Sequence, residues 1–559
     1  MKNILTFVLF ISITFPVLSQ VENVPVTNPV YEFLKEMKVK RIISGFDDGY
    51  INLARYEVSD FLEKANEKRN ELSVTEKELL DRYRIEFIPE LQNRENTFNI
   101  FNDTMSFKKR LNNIFSDKSK HIYNFKRDKN NFTLEFIGNL FVGKEIKPEI
   151  KYNALVMDGG LRARGTLLEH FGFLISFNKG VTIGQESTAL MLFPHLNTDY
   201  KFQEKREKQR DYGFQYGYLK YSTKPLDDLD ISVQLGREKV MLGHGYGDKF
   251  LFSNNAPDMD FLKLQVKYGV LQFMHLHASM PGQFFQNREE RYTKYFATNR
   301  LNINLKNFIN FGFGEVVIYN GRIDFAYLNP FLLYLEAEKN LQDRDNKNFF
   351  LDFQTNFIKG FEITGTYYID DDQGFASFFG KTSIDQKIGY QIGAMAYEPL
   401  GLKDLSLYLE YTKIRPYVYS HYDIKDNYTS QGVILGHQLG PNADEIFTGL
   451  DYNLSHKVRL SADYRYRRKG SNILDDAGNI IKNVGSDVFF TYRPGIDDPD
   501  ATFLEGDRIN TNIINISLRF QIIRNFWFTL EYSYMIDDYV AKRYKKETSF
   551  AAFRMNIDY

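Results

Sequence analysis

The sequence predicts an all-β transmembrane barrel preceded by a small α-helical domain, and three observations support this prediction. Beyond residue 130, apolar and polar side chains alternate in runs of about ten residues, the length that crosses a bilayer as a tilted strand. After the N-terminus, no stretch of about 18 apolar residues could form a membrane-spanning helix. The chain is polar on average, with a mean hydropathy of −0.41, yet 16% of its residues are aromatic, as in barrels with aromatic girdles.

The alternation is clearest in segments 458–467, 514–522, 526–535 and 551–559. Strands of ordinary globular proteins average about five or six residues, whereas strands that cross a membrane need about 9–11. The open alternative is a soluble β-sandwich or propeller, although no blade-length repeat is visible. The region after residue 95 accommodates on the order of 16–20 strands, and such barrels have even strand numbers.

The N-terminus predicts export. Lys2 precedes an apolar run over residues 4–15, and Ser19 followed by Gln20 provides a small residue before a polar one. This pattern is typical of a cleaved signal peptide, and the alternative is an uncleaved N-terminal anchor. We therefore divide the chain into a signal peptide (1–19), a helical periplasmic domain (20–95) and an outer-membrane barrel (96–559). The chain contains no cysteine, which excludes a lipidated cysteine and disulfide bonds.

Three short amphipathic helices are predicted between about residues 28 and 90. Asn28 is a suitable N-cap with Pro29 after it, and residues 30, 33, 34 and 37 place apolar side chains on one face. Ser73 and Glu76 form a capping-box pattern that starts the third helix. These helices form either a small bundle or a cap on something larger.

Composition and motifs argue against several functions. The chain has 71 basic and 72 acidic residues, a net charge of −1, so a nucleic-acid partner is not expected. Neither a G-x-S-x-G nor an H-E-x-x-H motif is present, and we predict no catalytic residue, no cofactor and no metal. His275 and His277 would share one strand face, but no third metal ligand is identifiable, so a polar pair is expected.

Two features could build a binding site inside the barrel. Arg162 and Arg164 project together from one strand, either as partners in a paired polar interior or as donors to an anionic or hydroxyl-rich ligand. Segment 236–257 interrupts the alternation and carries glycines at 243, 245 and 247. It is either a loop folded into the barrel or a plain turn.

Several segments, in order along nearly the whole mature chain, resemble the Wzi-type capsule assembly proteins of the outer membrane. The resemblance rests on Ser73-x-x-Glu76 with Glu86-Phe87, on Gly236-Arg237 with 242–245 and 251–257, on Arg300-Leu301 with 314–319 and 327–330, and on 410–412 with 436–444.

The resemblance implies an 18-stranded antiparallel barrel with a small N-terminal α-helical periplasmic domain. It also implies a lectin-like role in attaching or organising capsular polysaccharide, without covalent chemistry. Two departures concern the identity of the ligand. Asn299-Arg300 stands where a His-Arg pair is expected, and residues 238–241 lack the tryptophan expected after Gly236-Arg237.

We therefore expect a monomeric protein of the Gram-negative outer membrane that is not an enzyme. Its expected partners are outer-membrane lipid and capsular or exopolysaccharide, which it binds and helps to assemble or attach. The alternatives are a porin or specific transporter, and a barrel enzyme of the lipase type. The predicted polysaccharide contacts are Arg237, His244, Tyr246, Asn254, Asn255, Arg300, Glu315, Arg322 and Asn329.

Overall fold

A computed structural model describes residues 20–558, apart from 93–94, 102–105, 148–152, 186–187, 191–192, 194–195, 197–199, 207–208, 254, 256–257, 283–289, 291, 307, 342–344, 371–386, 491, 494 and 499–500. Among the described residues, no helix is both long and apolar enough to cross a membrane.

The chain forms a closed antiparallel barrel of 18 strands, as the resemblance predicted. The strands are β1 (Asn130–Lys147), β2 (Asn153–Leu167), β3 (Phe171–Gly184), β4 (Gln209–Leu226), β5 (Leu229–Glu238), β6 (Met259–Tyr268), β7 (Leu271–Pro281), β8 (Thr293–Asn304), β9 (Ile309–Asn320), β10 (Asn346–Thr355), β11 (Phe361–Asp370), β12 (Ile388–Tyr397), β13 (Leu405–Ile414), β14 (Ala443–Ser455), β15 (Val458–Ser471), β16 (Asp507–Ile523), β17 (Phe526–Tyr539) and β18 (Tyr544–Asp558).

The barrel closes where the last strand pairs with the first. In that pairing Asp558 lies opposite Ile137 and Ala551 lies opposite Lys144. Closure gives every strand two neighbours, which a membrane requires because lipid cannot satisfy the polar groups of an open sheet edge.

The predicted alternation separates the two faces of the wall. On β16 and β17, Ile514, Ile516 and Leu530 are exposed on the outside. On the inside, Arg519 pairs with Glu32 and Arg465 of β15 donates to the carbonyl of Gly247, both partners lying within the barrel. An apolar outer wall around a polar interior is the pattern of a membrane barrel.

The three N-terminal helices are α1 (Val30–Val39), α2 (Arg55–Glu67) and α3 (Val74–Phe87). The predicted capping box is confirmed, since the Ser73 hydroxyl accepts from the amide of Glu76 and the Glu76 carboxylate accepts from the amide of Ser73. The first helix begins at Val30, one position later than the start predicted at Pro29, and the Asn28 side chain accepts from the amide of Val30 at 2.9 Å.

These helices cap the barrel rather than standing alone. They lie at the end where the strands are joined by short turns such as 226–229 and 455–458, which we name the turn end. The amide of Gly360 donates to the carbonyl of Val39 at 2.8 Å, and Arg82 donates to the carbonyl of His456 at 3.3 Å.

The opposite end, named the loop end, carries the long connections. Segments 239–253 and 415–442 fold inward and bury an aromatic cluster in which Tyr419 stacks on Tyr428 at 5.1 Å between ring centroids. The alternative in which 236–257 is a plain turn is therefore wrong. The apolar plug formed by these loops packs against inward-facing wall residues, including Met274, Phe296 and Phe350.

Candidate functional site

The N-terminal segment is held inside the barrel by buried ion pairs with the wall. Lys38 lies 2.9 Å from Glu362 of β11, and both side chains are buried. Glu36 lies 2.8 Å from Arg459 of β15. Because an unpaired buried charge is strongly destabilising, each pair fixes the segment at one height and rotation in the barrel.

The predicted arginine pair of β2 belongs to this anchoring. Arg162 and Arg164 both lie 2.7 Å from the carboxylate of Glu135 on β1. Arg164 also lies 3.3 Å from Glu22 of the N-terminal segment. The paired-interior interpretation therefore describes Arg164, which is shielded from any ligand by its partners.

His244 and Arg300 meet at a buried charge centre between the inward-folded loop, the N-terminal segment and the wall. The imidazole Nδ1 of His244 lies 3.1 Å from the carboxylate of Asp48, and its Nε2 lies 3.5 Å from that of Asp352. Arg300 forms a bidentate salt bridge with Asp352. Burial lowers the pKa of His244, but its hydrogen bonds with Asp352 and Asp48 outweigh this effect and leave the pKa above its usual value.

The centre is tightly packed and electrically balanced. A Cβ added to Gly49 would lie 2.8 Å from Cε1 of His244 and 3.0 Å from Nη2 of Arg300, so only glycine fits. Ligand atoms of Asp47, Asp48 and His244 lie within 4.8 Å of one another, close enough for a metal ion. Lys35 lies 2.5 Å from Asp48, however, and this cation together with Arg300 already supplies the positive charge.

Tyr246 belongs to the same inward-folded loop. Its amide donates to Glu410 at 2.8 Å, and its hydroxyl donates to Glu362 at 2.8 Å. Its ring lies 5.2 Å from that of Tyr408. The Glu362 carboxylate thus binds both Tyr246 of the inward-folded loop and Lys38 of α1, so side chains connect the two ends of the barrel.

The remaining predicted contacts of this region are spread along the loop end. Arg237 is half-exposed and pairs with Asp260 of β6 at 2.6 Å. Asn255 is half-buried, and its side chain lies 3.5 Å from Asp248. Asn254 lies outside the described residues.

The other three predicted contacts are far from this centre, on the outer side of the wall. Glu315 alternates with Gly314 and Val316, which face the lumen, and therefore points outward. Arg322 is exposed and pairs with Asp324 at 3.3 Å, while the exposed Asn329 accepts from the amide of Phe331 at 3.0 Å. The structure thus separates Glu315, Arg322 and Asn329, on the outer side of the wall, from His244, Tyr246 and Arg300, within the barrel.

A cavity of about 720 Å³ remains in the part of the lumen that the plug does not fill. It extends from Lys239 and Gln431 near the loop end to Trp527 near the turn end, and α3 contributes Arg82 and Tyr83 to its lining. Its lining combines cations, aromatic rings and amides: Arg82, Arg162, Arg519, Arg524 and Arg554; Tyr83, Phe214, Tyr216 and Trp527; Asn139, Asn178, Gln521 and Asn556.

Several cations in the cavity are held in fixed positions by neighbours. Arg554 lies 3.0 Å from Glu531, and Arg519 pairs with Glu32. The guanidinium carbon of Arg519 also lies 5.5 Å from the ring centroid of Trp527. This arrangement presents planar donors beside aromatic faces, a combination suited to ligands rich in hydroxyl and carboxylate groups.

Among the predicted residues that the structure describes, Arg237 is the one that borders this cavity. Trp527, Arg554 and Tyr216 were missed. The alternation of the sequence could have identified Trp527. This residue occupies one of the polar, inward positions of the run 526–535, which predicts that its large ring faces the lumen.

A closed 18-stranded barrel with an apolar outer wall and a lumen occupied by its own loops and N-terminal segment defines an outer-membrane β-barrel protein. A sequence profile described as "Capsule assembly protein Wzi" matches residues 100–541. The chain therefore belongs to the Wzi family of capsule assembly proteins, which places it in the outer membrane with a role connected to the capsule.

A solved structure shows the same fold. The chain is similar to Wzi of Escherichia coli, described as an outer-membrane protein involved in group 1 capsule assembly and a carbohydrate-binding β-barrel, with 12% identity, a TM-score of 0.56 and coverage of 96% of this chain and 99% of that one. OccK5 (OpdH) of Pseudomonas aeruginosa has 8% identity and a TM-score of 0.42, covering 76% and 97%. OprD of Pseudomonas aeruginosa has 9% identity and a TM-score of 0.43, covering 77% and 93%. No curated protein matches the chain in sequence.

Proposed function

We propose that this protein binds surface polysaccharide in the luminal cavity and so helps to assemble or attach a capsule or exopolysaccharide layer, without catalysing a reaction. The observation that carries the proposal is the cavity itself. Its volume of about 720 Å³ falls within the range of about 300–1,000 Å³ typical of ligand sites. The description of the Escherichia coli protein as carbohydrate-binding supports the same class of ligand.

The chemistry of the lining favours an acidic polysaccharide. Tyr216 and Trp527 offer flat apolar faces, on which a sugar ring can pack. Arg554 and Arg524 can donate paired hydrogen bonds to carboxylates. The contacts for which we now argue are thus these four residues.

The placement of α3 favours a binding protein over a channel. Leu79, Arg82, Tyr83 and Glu86 of α3 lie along the cavity at the turn end. The apolar plug occupies the opposite part of the lumen. We propose that the protein is exported through cleavage after residue 19 and acts as a monomer, with a polysaccharide chain entering from the loop end.

The single tryptophan supplies a direct test. Because Trp527 lines the cavity and no other tryptophan is present, ligand entry should change the intrinsic fluorescence of the folded, detergent-solubilised protein. Titration with capsular polysaccharide from the host should give a saturable change. Trp527→Ala should weaken binding about 10-fold, measured by calorimetry, since aromatic anchors commonly contribute over 1 kcal/mol.

The matched control is Ile496→Ala, an exposed apolar residue of a loop-end connection outside the cavity. Its affinity should equal that of the unmodified protein. The site would be contradicted if the fluorescence of the unmodified protein did not change on titration and the affinity of Trp527→Ala were unchanged. Steady ion currents in planar bilayers would favour the channel alternative, and normal capsule retention after deletion of the gene would contradict the capsule role.

A further inference from the structure

Residues 321–341 follow the loop end of β9 and fold back over the outer wall of the barrel rather than into the lumen. We name this segment the outer strap. It contains two short helices, α4 (Phe325–Leu328) and α5 (Tyr334–Asn340). The strap is anchored by Tyr327 and Tyr334, which are fully buried against Ala297, Val317 and Tyr319 of β8 and β9.

The wall residues beneath the strap point away from the lumen. Phe296, Val316 and Ile318 belong to the luminal cluster that packs on the plug. Their neighbours Ala297 and Val317 therefore face outward, because side chains alternate along a strand. The strap thus occupies a position where, in a barrel of this class, the wall meets lipid.

A polar row crosses this part of the outer wall. His275, Asn299 and Glu315 are direct cross-strand neighbours on β7, β8 and β9. Nδ1 of His275 lies 2.8 Å from the side-chain oxygen of Asn299 and 3.2 Å from the hydroxyl of Tyr334, and Asn299 donates to the carbonyl of Leu332 at 3.1 Å. Polar groups that face hydrocarbon without partners destabilise a membrane protein, and the strap supplies partners to His275 and Asn299.

The opposite surface of the strap is apolar. Phe331 is 90% exposed and Phe325 is 83% exposed, with Ile323 and Leu333 also open. In water this would be an unusually large exposed apolar patch. It adjoins the apolar outer wall, where Leu262 of β6, the cross-strand neighbour of His277 on β7, is exposed as well.

We propose that the outer strap is a lipid-facing element that lies in the outer leaflet, where Ile323, Phe325, Phe331 and Leu333 contact the acyl chains of membrane lipid. The strap replaces a polar stretch of strand wall by an apolar surface of its own. This proposal does not depend on the polysaccharide site, because the strap and the cavity lie on opposite sides of the wall.

The absence of cysteine from the sequence permits a clean test. The single-cysteine variants Phe325→Cys, Phe331→Cys and Leu333→Cys would be spin-labelled and reconstituted in phospholipid vesicles. Collisions with oxygen, which concentrates in lipid, should exceed collisions with a water-soluble nickel complex at all three positions. Since these side chains are exposed, their replacement removes little packing, and heat-dependent gel mobility would verify that each variant is folded.

The matched control is Ile496→Cys, which is 72% exposed in a loop-end connection and should favour the nickel complex. Labels on the strap that behave like the label at position 496 would overturn the proposal. Dipolar broadening between labels on different molecules would instead identify a second copy of the chain as the occupant and overturn it as well.

An independent measurement uses Phe331→Trp in a Trp527→Phe chain. Lipids carrying bromine on their acyl chains should quench the new tryptophan. Emission unaffected by brominated lipid would count against lipid contact even if the cysteine variants failed to fold.

Discussion

Removal of the Lys38 ammonium should loosen the N-terminal segment from the barrel. Lys38 is 1% exposed, Glu362 is fully buried, and Nζ lies 2.9 Å from Oε2. Breaking a buried ion pair by removing one partner typically costs about 3–5 kcal/mol. Lys35 and the Tyr246 hydroxyl still contact Glu362 after Lys38→Met, so we expect a smaller loss of stability, about 2–3 kcal/mol.

Hydrogen exchange of the α1 amides in detergent micelles measures this loss directly. A loss of about 2–3 kcal/mol lowers their protection roughly 30- to 150-fold. Lys64→Met, at an exposed position of α2, should change protection by less than about 0.5 kcal/mol. The double variant Lys38→Met/Glu362→Gln should recover part of the loss, because both charges are then absent. Protection in Lys38→Met within twofold of the unmodified protein would refute the reasoning.

Three further predictions concern the charge centre and the cavity. Because the pKa of His244 is raised in the folded state, its contribution to stability is complete below about pH 6.5 and is lost as the pH rises through the folded-state pKa. The urea midpoint of unfolding should therefore fall over that pH range, and it should fall less in His244→Gln. Gly49→Ala should destabilise the protein by about 1–3 kcal/mol through its contact with His244, whereas Gly213→Ala, whose Cβ would come no closer than 3.3 Å to another group, should do less in the same urea titration. Arg554→Gln should weaken acidic polysaccharide more than neutral polysaccharide in parallel titrations, and equal losses for both would argue against a carboxylate contact.

Local rules were sufficient to predict several parts of this protein. The capping box at Ser73 and Glu76 formed as expected, because its hydrogen bonds join residues three apart in sequence. The alternation in 514–522 correctly assigned Ile514 to the outside and Arg519 to the inside, because a strand allows only two faces. The inward folding of 236–257 remained one of two alternatives, since glycines permit a bend without giving its direction.

The sequence by itself therefore determined the barrel, its two faces and the existence of three N-terminal helices, since these depend on periodicity and on neighbouring residues. Only the tertiary structure decided which polar residues share a site. His244 contacts Asp48 and Asp352, which are more than 100 positions away in sequence. Glu315 is also acidic, but it lies on the outer side of the wall beneath the outer strap. Alternation fixes a side chain to one of two faces, but the path of a long loop, which can run through the lumen or over the wall, is set by packing between distant segments.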